Sequence, residues 1–556
     1  MERSNLLHKM PTITLNKKEF EKLVGKTLPI EKLKDRISML GTDLESVTAK
    51  EIIVEVFPDR PDMLSEQGFA RAFSSFIGKK PGLRTYSVKK SNEKVIIDSS
   101  VKQVRPYTAC AIVKNLKLDN ERIKQIIQLQ EKLHVTFGRN RRRAAIGIYP
   151  LDKIKTPITY KALPPEKIKF RPLDYKQHLT GAEILKVHPT GKEYAHLLEN
   201  TKLYPIFIDA ADKILSMPPI INSDEIGRVT EKTRDVFIEC SGFNLNILKQ
   251  CLNIIVTALA DMNGAIYSMD LMYSKKETTP DLRPWKLKIN PNYVNKILGL
   301  NLSQADIKKY ARMMTLDYSN GNALIPAYRT DIIHEIDVIE DIAIAYGYEN
   351  FEEEIPKIST IASQDPKEKL KEQITNFLVG LSLLETSTYD LTNINDHNKK
   401  TLLEESSVEL GNALNQDYNI VRTIITPSLL KVLSENKHND YPQRIFEIAT
   451  TFEKGESETN VIEQEHLSIA LSHSKTNFTE IMKIVNSLFK VLNIKYSIHE
   501  KDYKFLIPGR SAEIKINNFS IGLIGEIHPE VLNNWGLDTP VAVVEIDIDD
   551  LIKCLK

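Results

Sequence analysis

Apolar and polar residues follow two rhythms along this chain. In PTITLN and EIIVEVF they alternate residue by residue, which predicts half-buried strands; in KKEFEKLVG and SEQGFARAFSSFIG apolar positions recur at helical spacing. Pro58 and Pro61 stop the second strand in the loop FPDRPDMLS, since proline fixes φ and removes a donor. Gly78 ends the second helix, and KKPGLRTYSVKKSNEK reads as a linker. From about 100 to 275 strands dominate: ACAIVKNLKL, AAIGIYPL, LYPIFIDA, ILSMPPIIN and DVFIECSGF, with helices NERIKQIIQLQEKLH and NILKQCLNIIVTALADM among them.

A different texture follows. VNKILG and QADIKKYARMM predict a helix-turn-helix-like pair, the second helix opened by a Ser303/Asp306 capping box. A strand near NALIPAYRT and a helix from about Asp331 to Tyr346 complete that unit. RIFEIATTFEK, EHLSIALSH, AEIKINNFSIGLIGEI and VAVVEIDID then predict a large antiparallel sheet with flanking helices. The expected fold class is α+β and multidomain: an N-terminal α/β domain over 1–95, an α+β domain over 96–277, a helical domain over 278–355 and a sheet core over 356–556.

Length agrees with that division, because 556 residues at about 150 per domain make about four. The 75 basic and 74 acidic side chains leave a net charge of +1, so nucleic acid would have to be met by a local patch rather than bulk charge. Cys110, Cys240, Cys251 and Cys554 are too scattered for a disulfide framework or a zinc site, which suggests a reducing compartment. No secretion signal or bilayer-length apolar run is visible, and the expected location is the cytoplasm, without membrane partners.

Three clusters carry candidate chemistry. Asp337, Glu340 and Asp341 fall within an arc of roughly 100° on one predicted helix, with Asp331 at its mouth and an apolar stripe of Ile332, Ile336, Ile339, Ala343 and Tyr346 alongside. Hard carboxylate oxygens suit Mg²⁺, but spacing alone favours a solvated acidic face. Arg139, Arg141, Arg142 and Arg143 form a cation patch that suits phosphates, or an exposed solubilising turn. Ser216, Asn222, Ser223, Thr230 and Thr233, ending near Glu239, suit a small polar pocket, although hydroxyl-rich loops more often cap turns. Gly25, Lys26 and Thr27 imitate a phosphate loop, yet Phe20 stands where its first glycine belongs, so a helix end is expected. His134, His188, His334 and His528 lack ligand spacing and read as structural.

FPDRPDMLS, GRNRRRAAIG, LSMPPIINSD, IPAYRTDIIHEIDVIEDIAIAYGY, FEIATTFEKG and FLIPGRSAEI, in this order and nearly end to end, resemble the β subunits of archaeal and eukaryotic cytosolic phenylalanine–tRNA ligases. Residues 1–9 look like an extension relative to that family. The resemblance implies an (αβ)₂ heterotetramer that attaches phenylalanine to tRNA(Phe), with ATP and phenylalanine activated on the α subunit. It implies Mg²⁺ ligands at Asp331, Asp337, Glu340 and Asp341, near the α interface. It makes the α+β domain an editing domain that hydrolyses Tyr-tRNA(Phe). Phe207, Ser216 and Glu239 then match pocket positions, with Asn222, Thr230 and Thr233 close by. Archaeal relatives often carry Asp where Glu239 stands and a smaller apolar residue where Phe207 stands. Arg139–Arg143 would meet tRNA or the α subunit. The last part resembles a class II synthetase core without catalysis: Arg444 and Glu447 are spaced one residue too far apart for the second class II motif, and no arginine follows Gly522 and Gly525. The alternative is an assembly and tRNA-docking subunit whose editing site has decayed.

Overall fold

The computed structural model describes residues 11–356, 358–404 and 406–555, so the extension expected at 1–9 lies outside the described residues. The chain divides into two compact units, 1–355 and 356–556.

The first unit opens with a three-stranded antiparallel sheet, β1 (Thr12–Asn16), β2 (Asp43–Val47) and β3 (Glu51–Glu55), in the order β1-β3-β2. Asn16 ends β1 and caps α1 (Lys17–Val24), its Oδ1 accepting the Glu19 N–H at 3.1 Å. Gly25 closes α1 at φ +77°, a left-handed turn that glycine adopts without strain; the false phosphate loop is this helix end. After α2 (Ile30–Met39) comes α3 (Glu66–Phe76), which is buried on every side rather than on one stripe. Its polar residues are tolerated because each finds a partner: Glu66 accepts from Gln125 at 2.7 Å, and Arg71 pairs with Asp261 at 2.8 Å while lying 4.0 Å over the Tyr328 ring.

The stretch expected to be a linker is a strand in its second half. Strand β4 (Val88–Ile97) crosses the expected 95/96 boundary and pairs in parallel with two neighbours. Its lysines and Asn92 hide the alternation because one face is largely exposed. It sits inside a ten-stranded sheet with β5 (Tyr107–Lys114), β6 (Ala144–Pro150), β7 (Ile158–Leu163), β8 (Tyr204–Ile208), β9 (Ile214–Met217), β10 (Ile221–Asn222), β11 (Val236–Gly242) and β12 (Ala265–Met272). The order is β10-β9-β8-β7-β4-β12-β5-β11-β6, with Lys276–Thr279 paired to β12. Alternate residues of β11 feed two cores: Val236, Ile238 and Cys240 pack beneath α4 (Asn120–Val135) and α5 (Leu245–Asp261), and Phe237 joins Tyr149, Tyr160 and Phe207 on the other face.

The helical part holds α6 (Pro291–Leu298), α7 (Gln304–Met313) and α8 (Glu335–Tyr346) with a small antiparallel sheet of 285–288, 317–319 and 322–325. The Ser303/Asp306 capping box is formed. Helix α8 begins four residues later than expected, and Asp331 lies in the preceding loop.

The second unit is a seven-stranded sheet, antiparallel except where 384–385 pair in parallel with 445–446. Its helices include Pro366–Gly380, Thr426–Glu435 and Phe478–Val491. No helix of the described residues is long and apolar enough to cross a membrane.

Candidate active site and arginine cleft

Strand register assembles the pocket. Phe207 on β8 faces Tyr160 on β7 and Ser216 on β9, and Ser216 faces Asn222 on β10, so four strands contribute one row. Across the sheet, Glu239 on β11 lies opposite Gly147 on β6. The missing side chain at Gly147 lets Tyr149 fold back, and its hydroxyl donates to Glu239 Oε1 at 3.1 Å, with Asn222 Oδ1 at 3.3 Å. Phe207 stacks on Tyr160 at 4.4 Å between centroids and meets Phe237 edge-on at 6.4 Å. Sequence reasoning named Phe207, Ser216, Asn222 and Glu239 but missed Tyr149; its inward position in the alternation of AAIGIYP was the available signal.

Thr230 and Thr233 do not join this group. The Thr233 hydroxyl accepts the Thr230 N–H at 3.0 Å, and the two close a turn whose first residue is exposed. Their short side chains satisfy nearby backbone before they can reach a pocket.

Glu239 is fully enclosed. Burial pushes its carboxyl up to about 8, partly opposed by the Tyr149 hydrogen bond and the Arg105 charge, so it is largely neutral at pH 7. Its Oε2 and the Ser216 hydroxyl lack a well-formed hydrogen bond among the described residues. Glu239 and Asn222 border a cavity of about 100 Å³, shared with His134, Arg141 and the segment Pro218–Ile221. At about 30 Å³ each, such a space holds roughly three waters. His134 is more than filler here. Its Nε2 accepts the Ile146 N–H at 2.8 Å, which leaves its Nδ1–H facing Glu131 at 3.2 Å, and burial lowers its pKa toward the neutral form.

The arginine run splits in two. Arg141 turns to the cavity, donating to Ile220 O at 2.8 Å and Glu131 at 3.2 Å and lying 4.3 Å over the Tyr194 ring. Arg139, Arg142 and Arg143 face a cleft of about 1240 Å³ on the other side of the same loop. Left-handed backbone at Arg139, Asn140 and Arg141 makes the tight turn that separates them. Arg105 braces this wall, donating to Ser241 O at 2.6 Å and Arg141 O at 3.1 Å.

The four acids expected to hold Mg²⁺ are not gathered. Arg329, fully buried, donates to Asp331 at 2.6 Å and to Asp341 at 2.8 Å. Burial raises Asp341 to about 6 against the pull of Arg329 and Arg60; at Asp331 burial is again the largest influence, but the Arg329 charge, its hydrogen bonds and the Arg60 charge together outweigh it and lower that carboxyl. Asp337 turns back to accept the Ile333 and His334 N–H groups at 2.7 Å, capping its own helix. Glu340 is exposed, and the stripe is imperfect, since Ile336 is exposed too. Asp331 gives both oxygens to Arg329, and Asp341 and Asp337 each give Oδ2 to a partner, so among the described residues these four carboxylates do not converge on one point as they stand. Arg60, bound to Asp62 at 2.9 Å, adds its charge to the same cluster, which explains the FPDRPDMLS loop. Among the described residues, Asp43, Glu45 and Glu55 alone bring three such ligands together, and they lie on the N-terminal sheet.

In the second unit, Arg444 and Glu447 stand three positions apart on one strand, so the pleat sends them to opposite faces. Arg444 pairs with Glu480 at 3.1 Å, whereas Glu447 takes buried Arg422 at 2.9 Å and the Thr388 hydroxyl at 2.8 Å. Arg422 also bonds Asp390 at 2.7 Å. The adjoining hollow of about 610 Å³ sets Glu385, Asp390, Glu447 and Glu465 against Lys371 and Arg422, a balance that repels phosphates.

Residues 287–348 match the family model of the tRNA synthetase B5 domain, and 351–548 that of the phenylalanyl tRNA synthetase beta chain CLM domain. Phenylalanine–tRNA ligase beta subunits of Thermococcus sibiricus and Pyrococcus horikoshii are each 40% identical, covering 98% of this chain and 99% and 100% of theirs. That of Archaeoglobus fulgidus is 38% identical over 97% of this chain and 98% of its own. A crystal structure of an N-terminal fragment of the Pyrococcus horikoshii subunit covers 60% of this chain and 99% of that fragment, at 41% identity and a TM-score of 0.58. Identity of this depth along nearly the whole of both chains means that the chain belongs to the phenylalanine–tRNA ligase β-subunit family.

Proposed function

We propose that this β subunit serves the ligation of phenylalanine to tRNA by scaffolding a catalytic α subunit in an (αβ)₂ assembly, and that it hydrolyses tyrosine wrongly attached to tRNA(Phe). The need for editing is physical. A pocket shaped for phenylalanine rejects an analogue with one added hydroxyl by only about 10².

The observation that carries the editing role is the neutral, buried Glu239 with Oε2 unspent beside a small cavity. In that state Oε1 accepts from Tyr149, and Oε2 is left to bond a substrate phenol that phenylalanine lacks. As it stands, with Tyr149 on Glu239 and Asn222, the cavity suits water, which supports hydrolysis by an oriented water, and the substrate phenol reaches Oε2 when Tyr149 gives way. Adenylation is assigned to α because Arg422 and Glu447 neutralise each other where ATP phosphates would need a free cation.

Deacylation of Tyr-tRNA(Phe) by the assembled enzyme tests this, and Glu239→Ala is expected to slow it roughly 10- to 100-fold. An unchanged rate removes the role. The competing reading, an assembly and tRNA-docking subunit with a decayed editing site, draws support from one observation: Tyr149, Tyr160, Phe207 and Phe237 fill the space around Glu239.

A further inference from the structure

One edge of the sheet in the second unit has a gap at a single residue. Strand Gln443–Lys454 pairs along its whole length with Val461–Ser472, but on its other side only with Leu384–Glu385. In an antiparallel pair the peptide groups of alternate residues turn away from the partner strand; here these belong to Phe446, Ile448, Thr450 and Phe452. Three of the four are met on the outer side. Phe446 O accepts the Thr386 N–H at 2.8 Å, Thr450 O accepts the Arg422 guanidinium at 3.0 Å, and the Phe452 N–H donates to Arg422 O at 2.9 Å. The N–H and C=O of Ile448 have no partner there among the described residues, and Ile448 lines the hollow of about 610 Å³. An unpaired edge residue is a template for another chain, and a residue set opposite Ile448 exchanges both hydrogen bonds with it.

Side chains around the gap select what that residue carries. Residues directly across a ladder share a face, so Glu385, opposite Phe446, and Glu465, opposite Thr450, stand on either side of any side chain placed opposite Ile448. The cation on this face is already engaged: Lys371 meets Glu465 at 3.0 Å and Glu368 at 3.2 Å. Glu385 is exposed and enters no ion pair among the described residues. Carboxylate in excess of cation favours an incoming ammonium or guanidinium. The chain holds a precedent two residues along the same edge, where the Arg422 guanidinium sits on Thr450 O and bonds Glu447 at 2.9 Å. Leu384 and Tyr389, both exposed, bracket this stretch and offer apolar contact to whatever covers it.

We infer that this edge of the assembled α–β enzyme docks an extended basic peptide segment of a further protein, one residue pairing with the Ile448 backbone while its lysine or arginine side chain lies between Glu385 and Glu465. Backbone pairing supplies the fit, and the carboxylates supply the preference for a cation. The inference is independent of the editing reading, since none of its residues lies in the first unit.

The test is fluorescence anisotropy of the assembled enzyme with a short labelled peptide, valines and threonines about a central arginine, capped at both ends. Saturable binding that weakens as salt rises is expected. Glutamate in place of the central arginine is expected to abolish it, and so is a methyl group on that arginine's peptide nitrogen, the donor to Ile448 O. Glu385→Gln is expected to weaken binding by up to about 5-fold, the range of an exposed ion pair. Ile448→Pro removes the outward N–H, a change that edge strands tolerate, and is expected to lower affinity as the methylated peptide does; where it unfolds the sheet, Glu385→Gln and the methylated peptide decide. Equal binding of the arginine, glutamate and methylated peptides overturns the proposal, as does the absence of saturable binding. Loss of α from the Glu385→Gln complex also overturns it, by assigning this edge to the α subunit.

Discussion

The Tyr149 hydroxyl reaches Glu239 Oε1 at 3.1 Å across the position of Gly147, and a methyl group on Gly147 would sit 2.0 Å from that hydroxyl. One absent side chain therefore lets a tyrosine of the chain itself occupy the carboxyl that would sense a substrate tyrosine.

Gly147→Ala forces Tyr149 out of this position. Overpacking of this kind costs about 1–3 kcal/mol, so a lower denaturation midpoint is expected, with Tyr149→Phe milder because it removes the hydroxyl and keeps the ring.

Tyr149→Ala separates active from decayed editing. It widens the cavity beside Glu239, and the assembled enzyme is expected to deacylate Tyr-tRNA(Phe) several-fold faster than wild type, with Phe-tRNA(Phe) unaffected. Equal rates on both esters would favour the decayed site.

Glu239 makes stability depend on pH. Its folded pKa of about 8 lies above the ordinary 4.5, so between these values the folded state binds the extra proton. Its neutral carboxyl is accommodated fully below about pH 4.5, and stability falls as pH rises toward 8, by up to about 1.4 kcal/mol per pH unit. Glu239→Gln is expected to flatten that part of the profile; denaturation midpoints across the range measure it.

The acidic helix gives a prediction of its own. Asp341→Ala leaves Asp331 as the remaining carboxylate partner of buried Arg329 and is expected to cost about 1–3 kcal/mol, whereas Glu340→Ala changes stability by less than about 0.5 kcal/mol. Thermal unfolding with and without saturating Mg²⁺ checks this. A loss at Asp341 that Mg²⁺ does not alter identifies a structural ion cluster, and a loss that appears only with Mg²⁺ would restore the metal reading.

Much of this was legible before any coordinates. Asn16, Ser303 and Gly25 fix their helix ends through contacts within a few residues, and the alternation in DVFIECSG already set Glu239 opposite in direction to Ile238. The linker reading of 79–94 failed in its second half because β4 is exposed along one face, so lysines occupy positions where a buried strand would show valine.

The sequence by itself determined the elements, their caps and the family, since these depend on local spacing and on strings that survive unchanged in linear order. Tertiary structure decided the chemistry: that Asp331 and Asp341 share Arg329, that Arg141 parts from its neighbours, and that Tyr149 meets Glu239 ninety positions away. Each of those contacts depends on strand register and on which direction a side chain leaves the backbone, and neither quantity is set until distant segments pair.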